Sequence, residues 1–418
     1  MELLMKDPIK LPCGLWLQNR LVKAAMAEDM ADSSHLPHSK FLEAYGKWAK
    51  GGWGGILTGN IQVDVRYLGN YNDLAIDEFD DDTNAVLDTW RLYANRCQEH
   101  GTPVIAQISH PGRQSRRGAG RRGIFTPTIA PSPIPLYLGD GYVASCISSM
   151  VFGKPREMSI NDIKQVIHQF VNCARILAIC GFSGIELHAA HGFLLSQFLS
   201  PRTNRRLDEY GGSNDKRVRI VLEIIKGIRE VVPSGFCIGV KFNSSSDDSS
   251  TFEDSMRQIG LLVEAGIDFL EISGGTFEDP IMMGRGTYSD RKTHRSHGTL
   301  AREAFFWEYA VKTRKRFPNL ILMLTGGFRS RQGIEDALQN NVCDLVGIGR
   351  PAVINPAYPR LIMTNTSPDH QAKVSLNKVA TPFWSTFFQI NALGGGAETF
   401  TDLNDDRGKE IKNPHTIP

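Results

Sequence analysis

The 418-residue chain contains no stretch of about 18 consecutive apolar residues, so no membrane-spanning helix is expected. Its N-terminus, MELLMKDPIKLP, also lacks the apolar core of a secretory leader. The seven cysteines, at 13, 97, 146, 173, 180, 237 and 343, never fall in Cys-x-x-Cys spacing. That scatter argues against a zinc site, an iron–sulfur cluster and a disulfide framework, and it fits a reducing, cytoplasmic setting. Charge of either sign is barely in excess: 47 Lys and Arg against 45 Asp and Glu, a formal net charge of +2. Without a basic stripe, no nucleic-acid partner is expected. The short run Asp80-Asp81-Asp82 reads as the solvated start of a helix. Also missing is a strand–GxGxxG–helix unit, which removes the main support for a Rossmann fold.

What is present is alternation. Strand-like apolar runs at 20–26, 55–63, 103–109, 184–188, 236–242, 269–273, 320–325 and 345–349 are separated by segments with helical spacing. Those helices are expected over 40–51, 82–100, 159–180, 213–232, 252–265, 302–316 and 334–340. Ser159-Ile-Asn-Asp162 has the spacing of a capping box, and Pro233 stops the helix before it. Eight strand–helix repeats predict an α/β fold, a (β/α)8 barrel over residues 1–365. A Gly/Pro-rich insertion at 112–156 could hold a hairpin or a lid. Residues 366–418, with Phe383, Trp384, Phe387 and Phe388, read as a C-terminal extension packing on the barrel or on a partner subunit, which makes a homodimer one expectation.

In such a barrel the active site lies at the C-terminal ends of the strands. Those ends carry Ala24 to Ala27, Asn60, Gln107 and His110, His188 and His191, Lys241 and Asn243, Gly326 and Gly327, and Gly349 and Arg350. The last two strand ends are where many barrels bind phosphate, with glycines that admit backbone N–H groups and an Arg that adds charge. Lys241 extends this to a cofactor with a phosphate tail and a polar ring. His188 and His191 face opposite ways if the strand continues, so both reach the mouth only if the chain leaves the strand at Ala189-Ala190. Together they suit an anionic or carbonyl oxygen. No carboxylate or third histidine sits at an offset that would complete a metal site.

The segments LQNRLVKAAM, IAQISHPGR, ELHAAHGFLLSQFLSPRTNRRLDEYGGS, GVKFN, TGGF and GIGRP, in this order, resemble the Old Yellow Enzyme family of flavin-dependent ene-reductases. The resemblance runs from about Ile9 to Pro356. It implies FMN at the barrel mouth, with Ala24, Ala25, Met26, Ala27 and Asn60 along the ring and Gln107 at its pyrimidine edge. Lys241, where many relatives carry Arg, would approach the N1 and O2 end. Gly326, Gly327, Gly349 and Arg350 would hold the phosphate. His188 and His191 would donate to a substrate carbonyl, with Asp29, Phe193 and Tyr288 lining the pocket. NADPH or NADH would be the reductant and a small enone-type molecule the substrate.

Two positions depart from the family pattern. Phe193 stands where relatives place the tyrosine that protonates the substrate, and Ala27 where they carry Cys or Thr. The length and the missing cysteine cluster exclude the relatives fused to an iron–sulfur domain. The leading expectation is an NAD(P)H-dependent ene-reductase whose proton comes from water or a loop tyrosine (Tyr67, Tyr71 or Tyr288). Oxidation, isomerisation or redox-neutral rearrangement in a biosynthetic pathway is the alternative that Phe193 suggests. A catalytically silent flavin-binding protein is a third, opposed by intact His188, His191 and Gln107.

Overall fold

A computed structural model describes residues 3–77, 84–139, 141–244, 249–275, 278, 306–364, 368 and 372–374. Eight parallel strands close into a barrel: β1 (Leu21–Lys23), β2 (Gly55–Gln62), β3 (Val104–Ser109), β4 (Gly184–Ala189), β5 (Cys237–Asn243), β6 (Phe269–Ser273), β7 (Leu322–Thr325) and β8 (Leu345–Ile348). Each strand pairs with the next, and β8 pairs back onto β1 through Val346 opposite Leu21. Helices α1 (Ser39–Ala49), α2 (Asn84–Gln98), α3 (Ile160–Ile179), α4 (Asn214–Val231), α5 (Ser249–Glu264), α6 (Trp307–Arg316), α7 (Arg331–Gln339) and α8 (Tyr358–Met363) follow the strands in turn.

The barrel arises because side chains alternate along each strand. Outward residues such as Ile56, Ala106, Leu187, Val240 and Ile272 join the apolar layer beneath the helices. Inward residues Val22, Leu57, Ile105, Cys237, Phe269, Met323 and Leu345 fill the floor as a separate cluster. An N-terminal antiparallel hairpin, Ile9–Lys10 with Trp16–Leu17, adds Leu11 and Leu17 to that floor. Gly239 on β5 is required there, since a Cβ at this position would overlap the Phe269 ring. Among the described residues no helix is long and apolar enough to cross a membrane.

The capping box forms as expected: Ser159 Oγ accepts from the Asp162 N–H, and Asp162 Oδ2 accepts from the Ser159 N–H at 2.7 Å. Helix α4 ends at Val231, two residues before Pro233. Three segments differ from expectation. The first strand stops at Lys23, because Ala24 to Ala27 leave the sheet as a loop tied by the Ala24 N–H to Ile348 O at 2.9 Å. The 112–156 insertion forms no hairpin: Ile129–Ala130 pairs in parallel with Arg156–Glu157, and the helix Tyr142–Val151 lies between them. Leu136, Leu138, Ala144 and Phe152 give this segment a small apolar core of its own. Finally, the cysteines are less scattered in space than in sequence. Cys13, Cys237 and Asp268 come within 4.8 Å of one another at the floor. There Asp268 Oδ2 already accepts from Arg229 Nη2 at 2.8 Å and from the Ile238 N–H at 2.7 Å.

The acidic run at 80–82 and Tyr288 lie outside the described residues, as does the start expected for α6. Of residues 366–418, Lys373 bridges to Ser330 and the Val374 N–H donates to Arg329 O at 3.1 Å.

Candidate active site

Strand β4 delivers Glu186 and His188 to the barrel interior, while its alternate residues Ile185, Leu187 and Ala189 belong to the outer apolar layer. The strand ends at Ala189, and His191 adopts a left-handed backbone with φ 57°. For a non-glycine residue this costs roughly 1–3 kcal/mol and persists only where surrounding contacts over-determine it. Three contacts do so here. The His191 N–H donates to Asn243 Oδ1 at 3.0 Å, its carbonyl accepts from Gln114 Nε2 at 2.9 Å, and its Nε2 lies 3.0 Å from Ser273 Oγ. This turn brings the two imidazoles together, with ring centroids 5.0 Å apart and planes at 84°.

Phe193 completes a cluster of three rings. Its ring centroid lies 4.4 Å from that of His188, with planes tilted by 31°. His188 is buried, and its Nδ1 has no hydrogen-bond partner. Burial, reinforced by Lys241, holds the His188 imidazole well below the ordinary histidine range. Burial, then His188 and Lys241, do the same for His191. Both rings are therefore neutral at pH 7, each with a single N–H to give.

Beneath the histidines lies a layer of polar side chains. Gln107 on β3 and Glu186 on β4 are register partners, and Gln107 Nε2 donates to Glu186 Oε2 at 2.6 Å. Lys241 on β5 and Glu271 on β6 are likewise partners, with Nζ donating to Oε1 at 2.6 Å. Lys241 thus carries a fixed counter-ion, which reasoning from sequence did not anticipate. Glu186, Glu271 and Ser273 were also missed, although alternation and register could have found them: Glu186 lies two residues before the inward-facing His188, and Glu271 sits opposite Lys241.

The remaining candidates surround this layer. Ala24 is buried and Ala25, Met26 and Ala27 are half-buried, a loop after β1 in which three of the four side chains are single methyl groups. Asn60 follows an irregularity in β2 that begins after Leu57, and it pairs in register with Gln107. Behind it, Glu28 Oε1 accepts from the Gly59 N–H at 2.8 Å and from the Tyr45 hydroxyl, tying the loop after β1 to β2. At the late strand ends, Gly326 and Gly327 take φ of 144° and 89°, values that admit glycine and expose backbone to a ligand. Gly347 leaves space filled by Thr325, whose buried Oγ1 has no partner. Gly349 packs beside Met26, so the β8 and β1 ends converge, and Arg350 opens the short helix Arg350–Ile354.

A lining of small residues, glycine turns at β7 and β8, and a buried orphaned hydroxyl fit a flat ring with a phosphate tail. Asp29 lies on the same rim with φ 51°, but its Oδ1 accepts from the Asn72 N–H at 3.2 Å. Tyr67 is buried, wedged beside His110 and between Arg66 and Arg122. The Tyr71 hydroxyl donates to Arg117 O at 3.1 Å.

Comparison with known proteins agrees with this arrangement. Residues 5–368 match the NADH:flavin oxidoreductase / NADH oxidase family. The chain is 45% identical over 395 residues to the NADH-dependent flavin oxidoreductase iliE of Hypocrea jecorina (strain QM6a), covering 94% of this chain and 97% of that protein. It is 42% identical over 397 residues to the NADH-dependent flavin oxidoreductase iccE of Talaromyces variabilis, covering 94% of each. In structure it is similar to the Old Yellow Enzyme homologue of Zymomonas mobilis, with a TM-score of 0.69, 21% identity, and coverage of 89% of this chain and 96% of that one. The protein belongs to the NADH:flavin oxidoreductase family. It is an enzyme whose cofactor is FMN and whose reductant is a nicotinamide nucleotide, as the family resemblance implied.

Proposed function

We propose that the protein reduces the C=C bond of a small α,β-unsaturated carbonyl compound, with hydride originating from NAD(P)H. The observation that carries this reading is the pair of neutral imidazoles at the end of β4, His188 buried and His191 half-buried, set over the Gln107–Lys241 layer. When bound, FMN supplies the hydride transfer itself. Ala24, Ala25, Met26, Ala27, Asn60, Gln107 and Lys241 hold its ring, and Gly326, Gly327, Gly349 and Arg350 its phosphate. Asp29 and Phe193 line the substrate pocket.

His188 and His191 perform the protein's own chemistry. Each donates one N–H to the substrate carbonyl oxygen, stabilising the negative charge that develops there as an oxyanion hole does. His191 Nε2 lies 3.0 Å from Ser273 Oγ, and a hydroxyl proton given to that nitrogen would leave Nδ1–H free for the substrate. Neutral donors suit this task, because the N–H groups are fixed before the charge appears and no proton must be shed first. Phe193 packs against His188 and keeps that ring in place, but it has no proton to give.

That last contact supports a second reading. With Phe193 unable to supply a proton, the same clamp can hold an enolate without quenching it, which favours isomerisation, redox-neutral rearrangement or oxidation. Two half-reactions followed by flavin absorbance separate these readings. Anaerobic reduction by NADH or NADPH followed by rapid reoxidation with cyclohexenone is the result expected for the first. Reduction without reoxidation by any enone favours the second, and failure of both nucleotides to reduce bound flavin refutes the reductase reading.

A further inference from the structure

Gln107, Glu186, Lys241 and Glu271 come from four successive strands, and all are buried. Their donors and acceptors do not balance if both acids are ionised. Gln107 satisfies Glu186 Oε2, and Lys241 satisfies Glu271 Oε1. That leaves Glu186 Oε1 and Glu271 Oε2, each buried without a partner. Two carboxylates beside one ammonium would leave a net negative charge buried in the barrel interior, which is costly. An un-ionised acid resolves both problems, because its O–H is a donor and its charge is zero.

We propose that Glu186 holds a proton on Oε1 and donates it to Glu271 Oε2, closing a charge-neutral chain that runs Gln107–Glu186–Glu271–Lys241 across β3 to β6. Glu186 is the protonated member because its other partner is the neutral amide of Gln107, whereas Glu271 faces Lys241 directly. Burial and the neighbouring Glu271 push the Glu186 carboxyl well above the ordinary range, against the opposing pull of Lys241 and Gln107. His188, the next inward residue on the same strand, is neutral and offers Glu186 no compensating charge.

This makes Glu186 a positioning residue for the flavin site, a consequence that rests on the reading in the previous section. Its Oε2 can only accept from Gln107, so the Gln107 amide is locked with NH2 toward Glu186 and its carbonyl oxygen turned away. Its proton also lets Lys241 and Glu271 form a one-to-one pair, so the lysine keeps a fixed place beneath the histidines.

The test exploits the fact that glutamine is isosteric with a protonated glutamic acid. In the full-length protein freed of flavin, infrared spectroscopy at neutral pH should show the carbonyl stretch of a buried un-ionised carboxylic acid, lost in Glu186→Gln. Because Glu28 is a second buried acid with a raised carboxyl, the wild-type-minus-variant difference is the quantity read. Glu186→Gln should melt within a degree or two of wild type. Glu271→Gln, which strands Lys241 without its counter-ion, should melt several degrees lower. A difference spectrum showing only an ionised carboxylate, or a Glu186→Gln protein that misfolds or melts as low as Glu271→Gln, overturns the proposal. Glu186→Leu, which cannot accept from Gln107, should bind FMN at least ten-fold more weakly than Glu186→Gln, and equal affinities refute the positioning role. If the infrared and melting results hold but no variant or wild type binds FMN, it is the flavin reading that fails.

Discussion

Phe193→Tyr adds one hydroxyl to a ring already stacked 4.4 Å from His188, and little else changes. The residue is half-buried in extended backbone with φ −67° and ψ 169°, which tyrosine adopts as readily as phenylalanine. A hydroxyl at a half-buried edge keeps access to water, so stability should move by no more than about 0.5 kcal/mol. The chemical effect is far larger if proton delivery limits turnover. A positioned general acid is typically worth about 10²–10⁴-fold, or roughly 2.7–5.5 kcal/mol of barrier. The assay is stopped-flow reoxidation of the NADH-reduced enzyme by cyclohexenone under anaerobic conditions, with the nucleotide half-reaction as internal control. The variant should reoxidise at least a hundred-fold faster while its reduction by NADH is unchanged. An unaltered reoxidation rate in a variant that binds flavin normally refutes the argument that Phe193 withholds a proton.

Two further predictions address stability. His110 is buried with its Nδ1 accepting from the Gly112 N–H, and burial pulls its imidazole from 6.5 down to about 4. Between those values the unfolded chain binds more protons than the native one, so stability is lost as pH falls through this window. The loss is about 2 kcal/mol at pH 5, and urea titrations of His110→Gln should show a correspondingly flatter dependence between pH 7 and 5. Parallel curves for variant and wild type would contradict this. Gly239→Ala forces a methyl group into the Phe269 ring and should cost roughly 1–3 kcal/mol in thermal or chemical unfolding. Adding Phe269→Leu should restore part of the loss, and no rescue would mean the strain lies elsewhere.

The barrel was legible because its signals are local. Alternation, the Ser159–Asp162 box and Pro233 each act over a few residues, and the strands after the first formed close to their expected bounds, as did the helix that the box opens and the one that Pro233 follows. The first strand was read too long because Ala24 to Ala27 continue its apolar pattern, although the chain turns away there to form the rim. The insertion resisted reading because a parallel pair joined through a helix leaves no turn signature in sequence. At the site, the prediction that the chain must leave β4 at Ala189-Ala190 agrees with the left-handed His191. The Glu186–Glu271 layer was missed for a different reason. Its meaning lies in which oxygens remain unpaired, and only the side-chain contacts across the strands reveal that.

The account rests on His188 and His191 acting together on one oxygen, and ligand binding tests this without turnover. Flavin-loaded wild type, His188→Ala and His191→Ala should be titrated with a phenolic ligand, whose ionised oxygen resembles the enolate, and the flavin absorbance change followed. A hydrogen bond to a charged oxygen is worth about 1.5–3 kcal/mol, so each variant should bind roughly 10–150-fold more weakly than wild type. Affinities equal to wild type in both variants would contradict the carbonyl clamp.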